Sequence, residues 1–90
     1  MQTSKSETQD RIVKVVRSIL EDNGIAAEIG VESLLVDLGL TSMDMVDLML
    51  GVEAEFDLTI PQAEITPENF RSVKTLEHML IAQLEPGTAV

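Results

Sequence analysis

A stripe of apolar residues with helical spacing runs through residues 42–56, and it constrains the fold more than any other feature of this sequence. Its members recur every three or four residues, whereas a strand would alternate every two; they are Met45, Leu48, Met49, Val52 and Phe56. Burial of such side chains contributes roughly 1.5–3 kcal/mol each before entropy is counted. The stripe predicts a helix from Ser42 or Met43 to about Phe56, with one side in a core.

Three further segments carry helical signals. The first helix is expected to end near Asn23-Gly24, the last to begin after the N-cap Ser72, and Thr66-Pro67 predicts a short third helix. Residues 25–41 lack the helical period, yet they are too apolar for a free linker. Alternation typical of strands is absent. We therefore predict an all-α fold: a small antiparallel four-helix bundle of three longer helices and one short helix, with a long loop between helices one and two.

Charge and hydropathy limit the partners. The chain has 16 acidic and 6 basic residues, a formal net charge of −10, which repels nucleic acid and anionic lipid and attracts basic protein surfaces. No apolar run approaches the roughly 20 residues that span a membrane. The start of the chain is polar, unlike a secretory signal. We expect a cytoplasmic protein that binds neither nucleic acid nor membranes.

Ser42 has the most distinctive chemical setting in the sequence. A hydroxyl at a helix N-terminus lies beside unpaired backbone N–H groups and the positive end of the helix dipole, both of which stabilise an attached phosphate. The sequence offers no base to activate this hydroxyl, because the single histidine, His78, is expected at the surface of the last helix. Ser42 is therefore predicted to be the substrate of another enzyme, and the chain is not expected to be an enzyme.

Metal and thiol chemistry are not predicted for this chain. Cysteine is absent, so any thioester needs an imported thiol. Carboxylates are frequent between residues 37 and 55, but they lack the spacing of a calcium loop and have no His/Cys ligand set beside them. We expect no metal site.

A second apolar line on the predicted helix cannot face the same core as the first. It consists of Met43, Val46 and Leu50. The acidic residues that flank it are Asp44, Asp47 and Glu53. A helix buried on two sides would explain this line, but we favour a surface that docks partner proteins and is steered to them by its charge.

The run Asp37-Leu38-Gly39-Leu40-Thr41-Ser42-Met43-Asp44 resembles the modification site of acyl carrier proteins, whose usual pattern is L-G-x-D-S-L before an acidic helix. The similarity continues through Val46-Asp47-Leu48, Glu53-Ala54-Glu55-Phe56-Asp57 and Ile60-Pro61 to Val73, and so covers most of the chain. Two positions differ from that pattern. Thr41 stands where aspartate is usual, which removes a charge, and Met43 stands where leucine is usual.

In this family the serine carries 4'-phosphopantetheine, so the resemblance implies that a phosphopantetheinyl transferase attaches this group to Ser42 from coenzyme A. An acyl- or aminoacyl-loading ligase or transferase would load its thiol, and downstream synthase enzymes with basic docking surfaces would receive the cargo. Candidate residues for lining an acyl pocket are Leu48, Ile60 and Phe70. We expect a monomer with a disordered tail at 1–8, an acyl carrier domain at 9–84 and a flexible tail at 85–90.

The subtype and one alternative stay open. The stretches Leu48-Met49-Leu50-Gly51-Val52-Glu53 and Asn69-Phe70-Arg71-Ser72-Val73 resemble free-standing carriers of amino-acid ligases or specialised polyketide-type pathways. Polyketide, fatty-acid-like and aminoacyl cargo all remain compatible with the sequence. The alternative is an acidic helical adaptor in which Ser42 is an unmodified N-cap and the acidic side docks a basic partner permanently.

Overall fold

The computed structural model describes residues 5–84 as three α-helices, with two short 3-10 helices in the loops between them. Helix α1 spans Lys5–Asp22, α2 spans Ser42–Phe56 and α3 spans Val73–Leu84. The 3-10 helices are Leu35–Leu38, before α2, and Gln62–Glu64, after it. No strand is present within residues 5–84, which confirms the prediction of an all-α fold. None of these helices is long and apolar enough to cross a membrane.

The predicted count of four helices is not confirmed, because the segment expected to form the short helix makes a single turn. Thr66 caps this turn, since its Oγ1 accepts a hydrogen bond from Asn69 N and its carbonyl accepts one from Phe70 N, both at 3.2 Å. The Asn69 side chain then donates to the carbonyl of Glu64 at 2.7 Å. These side-chain bonds close one turn, whereas a helix gains stability only when backbone bonds continue beyond the first turn.

Helix α1 begins earlier than predicted. The sequence assigned residues 1–8 to a disordered tail, whereas α1 starts at Lys5 and the side chain of Thr8 is buried. Thr8 lies one helical turn before Ile12 on the same side of α1, so a polar residue extends the buried stripe. An apolar period alone does not reveal such a residue. Residues 1–4 and the predicted tail at 85–90 lie outside the described part of the chain.

The core is built from aliphatic side chains of all three helices and of the long loop. Ile12, Val16 and Leu20 of α1 are buried against the inner side chains of α2 and α3, which are Leu48, Val52, Phe56, Val73, Leu76, Met79 and Leu80. Leu35 and Leu40 bring the loop between α1 and α2 into the same cluster. As predicted, this loop packs across the helices instead of forming a free linker.

Two backbone hydrogen bonds hold the long loop against the beginning of α3. Leu35 N donates to the carbonyl of Arg71 at 2.9 Å, and Lys74 N donates to the carbonyl of Val31 at 2.8 Å. Gly39 ends the 3-10 helix with a φ of +106°, a conformation that glycine adopts readily and other residues do not. The chain can therefore turn sharply just before α2 and deliver Ser42 to the surface.

Helix α2 is held against α1 at two points. At Gly51 the helices approach so closely that a Cβ atom there would lie 2.7 Å from Cγ1 of Val15. At the end of α2, Arg11 Nε lies 3.0 Å from a carboxylate oxygen of Glu55, and the guanidinium carbon of Arg11 lies 4.3 Å from the centre of the Phe56 ring. These contacts set the rotation of α2 about its axis, and with it the residues that α2 exposes.

Replacement of Gly51 by alanine is expected to lower the free energy of unfolding by about 1 kcal/mol. The new methyl group overlaps Val15, whose β-branched side chain has few alternative rotamers, and this cost exceeds the gain in helix propensity. Urea unfolding of Gly51→Ala, Val15→Ala and the double variant measures the effect. If the overlap is the cause, the double variant is less destabilised than the sum of the two single variants; simple additivity would contradict the explanation.

Candidate functional site

Ser42 is the first residue of α2, and its side chain is exposed. The N-cap position is occupied by Thr41, whose backbone is extended and whose side chain accepts a hydrogen bond from Asp44 N. The N-cap role that the adaptor alternative gave to Ser42 is therefore wrong, and the hydroxyl of Ser42 is not needed to begin the helix. The hydroxyl lies in the first turn of α2, whose backbone N–H groups other than that of Asp44 favour an attached phosphate.

Thr41 and Asp44 form a reciprocal capping box around Ser42. Asp44 N donates to Thr41 Oγ1 at 3.2 Å, and Thr41 N donates to Asp44 Oδ2 at 2.8 Å. Thr41 Oγ1 also donates to that carboxylate oxygen, at 3.0 Å. The backbone hydrogen bond from Thr41, together with one from the side chain of Asn23, holds the pKa of Asp44 below its usual 3.8. The box fixes the first turn of α2 and therefore the position of Ser42.

The box removes Asp44 from the predicted docking surface. Its side chain is only 9% exposed, because the carboxylate turns back towards Thr41. The Thr-x-x-Asp spacing of residues 41–44 is a variant of the capping-box pattern, and this signal was present in the sequence. We therefore assign Asp44 to positioning Ser42, and not to contacting partners.

Replacement of Asp44 by asparagine is expected to lower thermal stability at neutral pH and to have little effect in strong acid. Because the folded pKa lies below the unfolded value, the carboxylate stabilises the fold above pH 3.8, and this contribution is lost as the pH falls through the folded pKa. Circular dichroism melts of the parent and the variant, from neutral pH to well below 3.8, measure the difference. Asp47→Asn, at an exposed carboxylate of the same helix, is the control, and an equal loss at every pH would contradict the assignment.

The apolar line predicted to meet partners is exposed: Met43 is 81% exposed, and Val46 and Leu50 are each 53% exposed. Three apolar side chains from the neighbouring loops are exposed as well, namely Leu34, Val36 and Ile65. We call these six residues the apolar face. The loop members were missed because loops have no period that reveals which side chain points outwards. An exposed apolar patch of this kind is typical of an interaction surface.

The three predicted acidic residues do not form one rim around the apolar face. Asp44 caps α2, as described above. Glu53 Oε2 accepts a hydrogen bond from Ile60 N at 2.8 Å, so this carboxylate ties α2 to the loop that follows it. Asp47 is exposed and lines a cleft of about 370 Å³ on the α1 side of α2, together with Lys14. Of the three, Asp47 alone has a carboxylate without such a structural hydrogen bond, and it stays a candidate for the predicted steering of partners.

A groove of about 700 Å³ opens beside Ser42, between α2 and the loops on either side of it. Two methionines of α2 that the helical stripe assigned to the core, Met45 and Met49, are half-buried and line this groove. Val46 joins them from the same helix. The loops supply the other residues: Leu34, Val36, Ile65, Thr66, Pro67, Glu68, Phe70 and Arg71. The groove is therefore mainly apolar, with Ser42 at its edge.

The three candidates for an acyl pocket all belong to the buried core, but only one of them lines the groove. Phe70 lines the groove. Leu48 and Ile60 are almost completely buried in the core, and neither lines the groove. The sequence marked all three as apolar, but burial in the core and exposure to a groove produce the same residue type.

The described residues place no histidine beside Ser42 to act as a catalytic base. Histidine is not among the side chains that line the groove, and His78 is exposed on α3. In the described part of the chain, no group of three or more His, Cys, Asp or Glu residues is placed to hold a metal ion. The site has the character of an attachment point beside an apolar groove.

Comparisons with known proteins agree with this geometry. The family described as "Phosphopantetheine attachment site" matches residues 10–80. The chain is 62% identical over 89 residues to aminoacyl carrier protein 1 of Bradyrhizobium diazoefficiens, covering 99% of both chains.

Two solved structures are similar in fold and sequence. One is a chain in the crystal structure of the Bradyrhizobium japonicum glycine:[carrier protein] ligase complexed with its cognate carrier protein and an analogue of glycyl adenylate; the TM-score is 0.73 and the identity 65%, covering 83% of this chain and 97% of that one. The other is a chain in the crystal structure of the same ligase complexed with glycylated carrier protein. Its TM-score is 0.70 and its identity 68%, covering 79% of this chain and 96% of that one.

Proposed function

The chain belongs to the acyl carrier protein family, whose members have a phosphopantetheine attachment site, and from this premise we propose that it is an aminoacyl carrier with Ser42 as its attachment residue. It is a carrier and not an enzyme, and its cofactor is covalently attached 4'-phosphopantetheine. We further propose that the cargo is glycine and that a glycine:[carrier protein] ligase loads it. An unmodified adaptor does not fit a family defined by attachment.

The observation that carries the proposal is the exposed hydroxyl of Ser42 in the first turn of α2, at the edge of the groove. Ser18 and Ser72 lack this combination. Ser72 is buried, and its Oγ accepts a hydrogen bond from Thr75 N at the start of α3. Ser18 is exposed in the middle of α1, where the backbone N–H groups are already bonded within the helix.

The residues around Ser42 fit the cofactor. Backbone N–H groups of the first turn of α2 can receive the charge of a phosphodiester on the hydroxyl. The adjacent groove, at about 700 Å³, has the size and the apolar lining typical of small-molecule sites. When attached, the cofactor supplies the thiol that this cysteine-free chain lacks and holds the amino acid as a thioester.

The apolar face supports the choice of partner. Carriers must leave each enzyme after transfer, so docking should be weak and fast, with a small buried area and encounter rates raised by charge. The net charge of −10 favours partners with basic surfaces, and the six exposed residues of the apolar face provide a contact beside Ser42. The phosphopantetheinyl transferase, the ligase and the enzyme that receives the amino acid would use this face in turn.

Loading is tested with the arm-bearing protein, the Bradyrhizobium japonicum ligase, ATP and glycine. We expect intact mass spectrometry to show the addition of one glycyl group, which hydroxylamine removes because it is held as a thioester. Protein without the arm and reactions without ATP are the controls and should stay unloaded. If the arm-bearing protein accepts a different amino acid but not glycine, the proposed cargo is wrong; if it accepts no amino acid, the aminoacyl function is wrong.

A further inference from the structure

We infer that Met43 is a modification site for peroxide oxidants, and that its sulfoxide weakens docking of the carrier to its loading ligase. This inference rests on the proposed function, because it takes the apolar face as the surface that meets the ligase. Three observations carry it: the accessibility of Met43, its place beside Ser42, and the chemical difference between methionine and the leucine that is usual at this position.

Met43 is the most accessible methionine of the described residues. Its side chain is 81% exposed, whereas Met45 and Met49 are half-buried beside the groove and Met79 is 4% exposed in the core. Oxidation of methionine follows the access of the oxidant to the sulfur. A peroxide in solution should therefore reach Met43 well before the other three.

Met43 occupies the position next to the attachment residue, in the first turn of α2. The usual leucine would give the apolar face similar bulk without an oxidisable atom. Methionine keeps the surface apolar, and it adds a thioether that a two-electron oxidant can convert into a polar group. Methionine in place of the usual leucine thus makes the surface sensitive to oxidants, while the surface stays apolar as long as the sulfur is reduced.

The modification is a single oxygen transfer. A lone pair of the Met43 sulfur attacks one oxygen of hydrogen peroxide, and the O–O bond breaks. The second oxygen departs as hydroxide, which takes up the proton of the transferred oxygen and leaves as water. The thioether is oxidised by two electrons and the peroxide is reduced by two. Because the chain has no cysteine, no protein thiol competes for the oxidant before the arm is attached.

The expected consequence lies at the interface and not in the fold. Met43 is exposed and is not part of the buried core, so its oxidation leaves the packing of α1, α2 and α3 intact. At a docked surface, the sulfoxide places a polar oxygen against apolar partner atoms and loses the burial of one apolar side chain. The free energy of burying one such side chain corresponds to a roughly tenfold or larger change in affinity for the ligase.

The test uses the full chain, oxidised before arm attachment so that the thiol of the arm never meets peroxide. Peptide mass spectrometry follows the extent of oxidation at each methionine during treatment with hydrogen peroxide, and the excess peroxide is removed when Met43 is almost completely oxidised. A broad-specificity transferase then attaches the arm, and completion is confirmed by intact mass. The initial rate of glycine loading by the Bradyrhizobium japonicum ligase is finally measured and divided by the rate of the same protein without peroxide.

We expect Met43 to oxidise before the other methionines of the described part of the chain, and this ratio to fall roughly tenfold in the parent. In Met43→Leu the ratio should stay near one, and in the matched control Met49→Leu it should fall as in the parent. The inference is overturned if Met43 oxidises no faster than Met49, if the ratio stays unchanged although the sulfoxide of Met43 has formed, or if the ratio falls equally in Met43→Leu. Each of these outcomes leaves the proposed function intact. An untreated parent that accepts no arm would contradict the proposed function, and the inference with it.

Discussion

Replacement of Ser42 by alanine is expected to abolish attachment of 4'-phosphopantetheine while the protein stays folded. The phosphodiester needs the hydroxyl oxygen of this residue, and no rearrangement of the first turn of α2 can supply another oxygen at that position. Because Ser42 is exposed and Thr41 caps the helix, the change in the free energy of unfolding should stay within about 0.5 kcal/mol. Intact mass after incubation with coenzyme A and a transferase measures attachment, and urea unfolding measures stability.

The matched control for this experiment is Ser18→Ala, which removes an exposed serine hydroxyl from α1, away from the groove. This variant should gain the arm at the rate of the parent. A gain of mass in Ser42→Ala would show that another hydroxyl is the acceptor and would refute the assignment of Ser42. Loss of attachment together with loss of helical signal would refute the claim that Ser42 plays no part in the fold.

Replacement of Val46 by lysine is expected to reduce loading by the glycine:[carrier protein] ligase at least tenfold, with stability nearly unchanged. Val46 is 53% exposed at the centre of the apolar face. A lysine there would put a charge into the proposed apolar contact, and it would repel the basic partner surface that we expect from the net charge of −10. The measurement is kcat/KM for glycine loading, with a melt by circular dichroism to confirm folding.

Two variants separate the surface effect from charge alone. Ala82→Lys adds the same charge on α3, outside the apolar face and away from the cleft that contains Asp47, and should change kcat/KM by far less. Val46→Leu keeps an apolar side chain and should load at close to the parental rate. If Val46→Lys loads as fast as the parent, or if Ala82→Lys is equally impaired, the apolar face is not the docking surface.

Helix α2 and the residues that it exposes were predictable because the signals for them are local in the chain. The apolar residues of α2 repeat with the helical period, and the structure begins and ends that helix at Ser42 and Phe56, as predicted. Leu48, Val52 and Phe56 face the core because a period of 3.6 residues places them on one side. The same period placed Met43, Val46 and Leu50 on the opposite side, and these three are exposed.

Predictions of side-chain roles were less successful, because a role depends on partners that are distant in sequence or on the local hydrogen-bonding geometry. Asp44 and Glu53 look alike as acidic residues on an amphipathic helix. In the structure, however, one carboxylate caps α2 and the other binds the backbone of Ile60. Likewise, Leu48 and Phe70 are both apolar, but only Phe70 lines the groove. Residue type alone does not separate these roles.

The sequence by itself determined the all-α class, the position of Ser42 at the start of α2 and the apolar line that follows it, because helical periodicity and capping act over a few neighbouring residues. Only the tertiary structure decided which loop residues complete the apolar face, where the groove opens and which carboxylates of α2 make structural hydrogen bonds. The hydrogen bonds that tie residues 31 and 35 to residues 74 and 71 bring together segments far apart in the chain. Such long-range contacts leave no periodic trace in the order of the amino acids.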